Sequence, residues 1–249
     1  MKIKEELKKF YNKEAKKYYH TRNKHRSDGK IILNEIKKTN KKNISILEFW
    51  CWWWRLIKFL NSNLKNKNIK YIWVDISEWL LKLAKKDNKQ NVFLCEDITS
   101  YIKKTKQESL DFIIWVASFQ HIPTQKEKLY LIKSFYKSLK YWWKLIMLNR
   151  SISSWFIKKH KIIIIKSLLK TIYTLWKHKL RDLKIPRKNN KKVYYRFYHM
   201  FNKKELLLLA KSWGFKIKRL SYIDKLWQEC ESRKKSNNTL LIWEKEVFN

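Results

Sequence analysis

The sequence has almost no glycine, 2 in 249 residues, where the usual ~7% would supply about 17. Glycine is the residue for positive-φ turns and for loops that approach a ligand closely, so the chain as written is short of the means to build either. Proline is as scarce, with 2 residues, which excludes collagen-like and proline-rich linker character. The cysteines Cys51, Cys95 and Cys230 are odd in number and lack C-x-x-C spacing. That excludes a disulfide framework, argues against structural zinc and fits a reducing compartment. Acids are few as well, 21 against 59 Lys and Arg, for a net charge of +38, while 45% apolar content argues against a disordered chain. No apolar run approaches the ~18 residues of a membrane span and no secretory leader opens the chain, so a soluble cytoplasmic protein that favours polyanions is expected.

What the sequence has in excess is tryptophan, 14 residues. Tryptophan and glycine together come close to the usual glycine content alone, and the positions explain why. The strand-like Ile44–Phe49 runs into Trp50-Cys51-Trp52-Trp53-Trp54 before the amphipathic Arg55–Leu60. With each W read as G, the segment becomes an acid followed by a glycine-rich turn between a strand and a helix, where the backbone can approach a nucleotide. Tyr71-Ile72-Trp73-Val74-Asp75 becomes a second strand ending in a carboxylate, and Asp75 lies 21 residues past Trp54. That is near the ~20-residue interval at which an acid meets ribose hydroxyls in dinucleotide folds. Trp142-Trp143, read as Gly-Gly, makes a helix stop and turn. The expectation is a gene in which UGA encodes glycine. Aromatic pairs at an edge or interface are the competing account, but they leave the missing glycine unexplained.

Residues 1–43 form a basic helical cap with 15 Lys/Arg and 5 acids. From 44 onward strands and helices alternate: strands 44–50, 70–75, 91–95, 110–117 and 144–150, with helices 55–65, 77–87, 99–104 and 125–140 between them. This order predicts a parallel sheet wrapped by helices. A basic insertion over 151–204 breaks the rhythm; between 156 and 204 it carries 16 Lys/Arg and one acid. A helix at 203–212 and strands at 215–223 and 238–246 complete the 44–249 domain as an edge hairpin.

Read with glycine, this order resembles the class I S-adenosylmethionine-dependent methyltransferases over nearly the whole chain. The resemblance implies an α/β fold, Rossmann-like with three layers, whose mostly parallel seven-stranded sheet ends in an antiparallel edge hairpin. It also implies S-adenosylmethionine as cofactor, bound by Glu48, Trp50, Cys51, Trp52, Trp54, Asp75, Ile76, Asp97, Ile98, Val116 and Ala117, with Asp97 accepting from the adenine amino group. A narrower set of segments, Tyr19-His20-Thr21-Arg22, Phe119-Gln120-His121-Ile122, Ile185-Pro186 and Arg196-Phe197-Tyr198-His199-Met200-Phe201, is similar to the tRNA methyltransferases that esterify wobble-uridine 5-carboxymethyl groups. Gln120 stands where that family has the first histidine of a pair, and Arg187 follows Pro186. The likeness implies tRNA and a small activating protein as partners.

Methyl transfer from a sulfonium is an in-line displacement that depends on alignment and desolvation. A carboxylate acceptor is already ionised and needs cations rather than a base. Arg22, Arg196 and His199 are the candidates for such a clamp, since a guanidinium grips a carboxylate through parallel hydrogen bonds. His121 is the candidate to orient substrate or to act as base. The plain alternative makes the arginines solvated charges and the histidines packed rings. Lys158, Lys159, Lys161, Lys166, Lys177, Lys179, Arg181, Arg187 and Lys188 are placed to meet RNA phosphates. The Ile162–Ile165 run fits an interfacial helix and a lipid or quinone-like acceptor. A small-molecule methyltransferase and a non-catalytic RNA-binding protein complete the alternatives.

Overall fold

The structure, a computed structural model, describes residues 2–21, 28–49, 55–89, 91–174, 179–189 and 192–246. Two helices, α1 (Lys2–Thr21) and α2 (Asp28–Lys37), precede strand β1 (Asn43–Phe49). There follow α3 (Arg55–Asn63), β2 (Asn68–Asp75), α4 (Glu78–Asp87), β3 (Val92–Cys95), α5 (Ile98–Lys104) and β4 (Leu110–Val116). A short 3-10 turn at Phe119–His121 leads to α6 (Gln125–Ser138) and β5 (Leu139–Arg150). The basic insertion holds α7 (Ser154–Lys159), α8 (Lys161–Tyr173) and strands β6 (Asp182–Asn189) and β7 (Lys192–His199). The chain continues through α9 (Lys203–Lys211), β8 (Phe215–Ile223), β9 (Glu229–Cys230) and β10 (Asn238–Lys245).

The main sheet runs β3-β2-β1-β4-β5-β10-β8-β9. Its first five strands are parallel, and β10, β8 and β9 add antiparallel pairs. Parallel strands lie between two helical layers and therefore read as unbroken apolar runs; in β4, Leu110 to Val116, every residue is buried. One face packs Ile44, Ile46, Ile114 and Ile146 under α2 and α3, and the other packs Leu47, Phe49, Ile113 and Met147 under α5 and α6. The helices start on side-chain caps that satisfy free amide groups: Ser77 accepts from Leu80 N at 3.3 Å, Asp97 from Thr99 N at 2.9 Å and Thr124 from Glu127 N at 3.1 Å.

Two expectations are corrected. The sheet has eight strands rather than seven, because the two-residue β9 extends its edge, and the insertion contains a separate β6–β7 hairpin. That hairpin is stable apart from the sheet because Leu183, Ile185 and Tyr198 alternate onto an apolar cluster with Phe156 and Met200. Trp142 and Trp143 are not a turn between helix and strand. The α6 helix ends at Ser138, and both residues lie inside β5, where Lys140–Trp143 stand opposite Asp111 as the pairing with β4 jumps from Leu139 to Lys144. Among the described residues, no helix is long and apolar enough to cross a membrane.

Candidate functional site

Between β1 and β4 the strand order reverses, and in open α/β sheets the crevice at the carboxyl ends of the strands beside such a point is where ligands lie. The structure has a cleft there, lined by Phe49 at the end of β1, Asp75 and Ile76 at the end of β2, and Glu96, Asp97 and Ile98 after β3. Leu7, Val74 and Ile122 add apolar wall. Three carboxylates, Asp75, Glu96 and Asp97, beside apolar walls suit the hydroxyls and the base of a nucleoside.

Asp75 is 2% exposed, and one of its oxygens accepts from Ser77 N at 2.7 Å. That bond fixes the carboxylate at the strand end. Asp97 caps α5 and also receives the Lys4 ammonium, at 2.9 Å to one oxygen and 3.1 Å to the other. Glu127 pairs with the same ammonium. Burial alone would lower the Lys4 pKa, but Glu127 and Asp97 together raise it. Lys4 thus closes the Asp97 side of the cleft from α1.

Of the other residues expected to hold cofactor, Ile76 and Ile98 line the cleft. Glu48 does not: it is buried on the opposite face of β1, where the Tyr71 hydroxyl donates to it at 2.7 Å and the Trp73 indole N–H donates as well. Val116 is core, and Ala117 follows it with φ 55° and N–H bonded to Leu148 O. Trp50, Cys51, Trp52 and Trp54, together with Arg22, lie outside the described residues.

Beside the cleft lies a second, larger cavity. The insertion supplies Lys159, His160, Ile185, Pro186, Arg187, Arg196 and Tyr198, and the sheet supplies Ala117, Gln120, Arg150 and Asn238. Among the described residues that line it, four are permanent cations and none is a carboxylate. Arg196 is 8% exposed, its guanidinium carbon 5.0 Å from the Phe10 ring and 5.2 Å from the Tyr198 ring, so two aromatic faces hold its planar fork in place. The His160 pKa is lowered by burial and then by Lys159, Arg150 and Arg196.

His121 forms the wall between the two cavities. It lines the cleft, and its ring packs edge-on to Tyr198 with centroids 4.6 Å apart. Nδ1 lies 2.6 Å from Phe197 O, so it must carry the proton and donate. Nε2 then accepts from the Tyr11 hydroxyl at 3.3 Å. Burial, and then the Arg196 charge, lower its pKa to about 3. A ring held neutral with both nitrogens engaged serves to position α1 and β7 rather than to take a proton. A free imidazole titrates near 6.5, so between that value and 3 the unfolded chain binds the proton and the folded one does not. Stability is therefore lost as pH falls through this window. Measured by urea unfolding against His121→Gln, the wild-type chain should hold a constant difference above about pH 7 and lose ground steadily towards pH 4.

His199 is not among the residues that line either cavity. Its Nδ1 lies 2.5 Å from Asp182 Oδ1 and its Nε2 2.6 Å from Glu205 Oε1. Burial raises the Glu205 pKa, but the hydrogen bond and charge of His199 bring it below the usual carboxylate value. This trio, with His199 buried and both carboxylates partly exposed, ties the hairpin to α9. Reasoning from sequence also missed Lys4 and Leu7 on the cleft and Arg150 and His160 in the basic cavity. The first pair carried a signal: Leu7, Phe10, Tyr11 and Ala15 are the buried stripe of α1, and its helical spacing is visible in the sequence.

No protein-family model matches the chain, and no curated protein matches it in sequence. Solved structures do match. An S-adenosylmethionine-dependent methyltransferase of Methanosarcina mazei is 17% identical, with TM-score 0.64 over 86% of this chain and 98% of its own. A Haloferax volcanii complex of the Trm112 methyltransferase activator with a proposed methyltransferase gives 9% identity and TM-score 0.63 over 99% of each chain. The Burkholderia thailandensis 1,6-didemethyltoxoflavin-N1-methyltransferase, solved with 1,6-didemethyltoxoflavin and S-adenosylhomocysteine, gives 9% and 0.61 over 97% of this chain and 88% of its own. The chain has the fold of the S-adenosylmethionine-dependent methyltransferases.

Proposed function

We propose that the protein is a methyltransferase that uses S-adenosylmethionine to esterify a carboxylate carried by tRNA. The observation that carries this reading is the basic cavity, four cations and no acid, set against a cleft shaped for a nucleoside. Asp75 would hold the ribose hydroxyls, and Asp97 would share its oxygens between Lys4 and the adenine amino group. Bound S-adenosylmethionine would supply an electrophilic methyl, which the acceptor oxygen would take as the carbon–sulfur bond broke and its electron pair stayed on sulfur. Arg196, with Arg150, Arg187 and Lys159, would align the carboxylate and replace its water. No base is needed, in keeping with a His121 that stays neutral. The likeness to the Haloferax complex supports a small activating partner. Incubation with labelled S-adenosylmethionine and bulk tRNA should label the RNA, and mild alkali should release the label as methanol, since an ester hydrolyses where a base methyl does not. No label in tRNA, or label stable to alkali, overturns the assignment.

A small or lipid acceptor is the second reading, favoured by the apolar outer face of α8, where Ile162 is 70% and Leu169 60% exposed.

The tryptophans belong to the same proposal: they occupy glycine positions because the gene's UGA codons encode glycine. Support comes from the backbone. Trp142 and Trp227 have φ of 69° and 67°, a region that suits glycine and is an outlier for a bulky side chain. The buried indole N–H groups of Trp115 and Trp243 have no hydrogen-bond partner among the described residues, a state that costs roughly 1–3 kcal/mol each. Native protein should weigh less than the printed chain by fourteen Trp-to-Gly differences; UGG codons at these positions would overturn the reading.

A further inference from the structure

Helix α8 faces the wrong way for a helix of a water-soluble domain. Its inner side carries Ser167 and Thr171, 6% and 1% exposed. The Ser167 hydroxyl donates to Leu180 O at 3.1 Å, and that of Thr171 to Ser167 O at 2.8 Å. Only Ile163 and Ile164, half-buried, reach the hairpin cluster. The outer side presents Ile162, Ile165, Leu168, Leu169, Ile172 and Tyr173, each between 41% and 89% exposed. Their spacing puts them on one continuous stripe, and none of them is a tryptophan. A patch of this kind marks an interaction surface.

The charge around the stripe tells the occupant. Lys161 opens it, Lys166 and Lys170 follow one border, Lys158 and Lys159 precede it, and no acid occurs between Ser151 and Arg181. We infer that α8 docks the protein onto an anionic lipid bilayer, the aliphatic stripe entering the acyl boundary and the lysine stems reaching back to the headgroups. At 13 residues the helix is about 20 Å long, enough to lie in the interface. RNA alone would leave the stripe without a role, because aliphatic side chains offer bases no stacking platform. A second copy would bring the same cations to the same border and repel. The inference goes beyond the proposed methyl transfer and does not depend on which acceptor is used.

Sedimentation of the full chain with vesicles tests it, with no methyl donor present, so that failure here and failure of the tRNA assay are separate results. The chain should sediment with phosphatidylcholine vesicles containing phosphatidylglycerol and not with phosphatidylcholine alone. The combined substitution Ile162→Ser, Leu169→Ser and Ile172→Ser, all at exposed positions, should weaken binding at least tenfold while circular dichroism stays unchanged. Lys166→Gln with Lys170→Gln should weaken it as well, by roughly fivefold per charge. No binding to anionic vesicles overturns the inference, as does binding that the serine substitutions leave intact. A dimer in light scattering that those substitutions dissolve, or their loss of an acidic protein partner without loss of lipid, assigns the stripe elsewhere and overturns it too.

Discussion

Calorimetry should find no S-adenosylhomocysteine binding by the printed chain and saturable binding by the chain with glycine at the fourteen tryptophan positions, and Asp75→Ala in the latter should weaken that binding about a hundredfold. The first half follows from space. Strand β1 ends on the cleft at Phe49, and the sequence continues with four indoles at 50 and 52–54, in the segment where a nucleotide's approach needs bare backbone. The second half follows from geometry. Asp75 is buried, tied to Ser77 N at 2.7 Å and fixed at the end of β2, so it meets a vicinal diol without rearrangement. Two hydrogen bonds to a charged group, each worth roughly 1.5–3 kcal/mol, correspond to about a hundredfold or more in affinity. Tight binding by the printed chain would remove the case for glycine. Binding unaffected by Asp75→Ala would remove the nucleoside assignment of the cleft.

Arg196→Met should lower kcat/KM for methyl transfer about 10²- to 10³-fold while S-adenosylhomocysteine affinity changes less than twofold. The guanidinium is almost wholly buried between the rings of Phe10 and Tyr198 and faces the basic cavity. A charge pair formed out of water is strong, and losing one partner of it costs roughly 2–5 kcal/mol. Arg187→Met, at an exposed position on the mouth of the same cavity, should cost about tenfold, with an effect that shrinks as salt is raised. Arg196→Lys should recover only part of the rate, since an ammonium keeps the charge but loses the planar fork. Equal losses for Arg187→Met and Arg196→Met would mean diffuse attraction and no clamp.

Two of the strand ends that build the cleft were legible in the sequence because a polar residue closes an apolar run, Asp75 after Val74 and Glu96-Asp97 after Cys95, while Phe49 was marked by the tryptophan cluster that follows it. Alternating α and β segments then required a parallel sheet, and the carboxyl ends came together as a matter of topology. The hairpin was hidden for a different reason. Leu183 and Ile185 alternate with charged residues, and Pro186 removes a ladder donor, which reads as loop unless the strand is an edge. His199 looked like a ligand to substrate because its partners Asp182 and Glu205 belong to a hairpin strand and a helix whose docking no local pattern reveals. Glu48 was assigned to the cleft by its place before the turn, yet the two-residue period of β1 sends it to the other face, with Ile44 and Ile46. Lys4 meets Asp97 across 93 positions of sequence, beyond the reach of any spacing rule.

One imidazole, bonded on one side to the first helix and on the other to the hairpin, joins the helix that lines the cleft to the strand that lines the basic cavity. A change at position 121 therefore reaches both compartments at once, because the same ring braces α1 and β7.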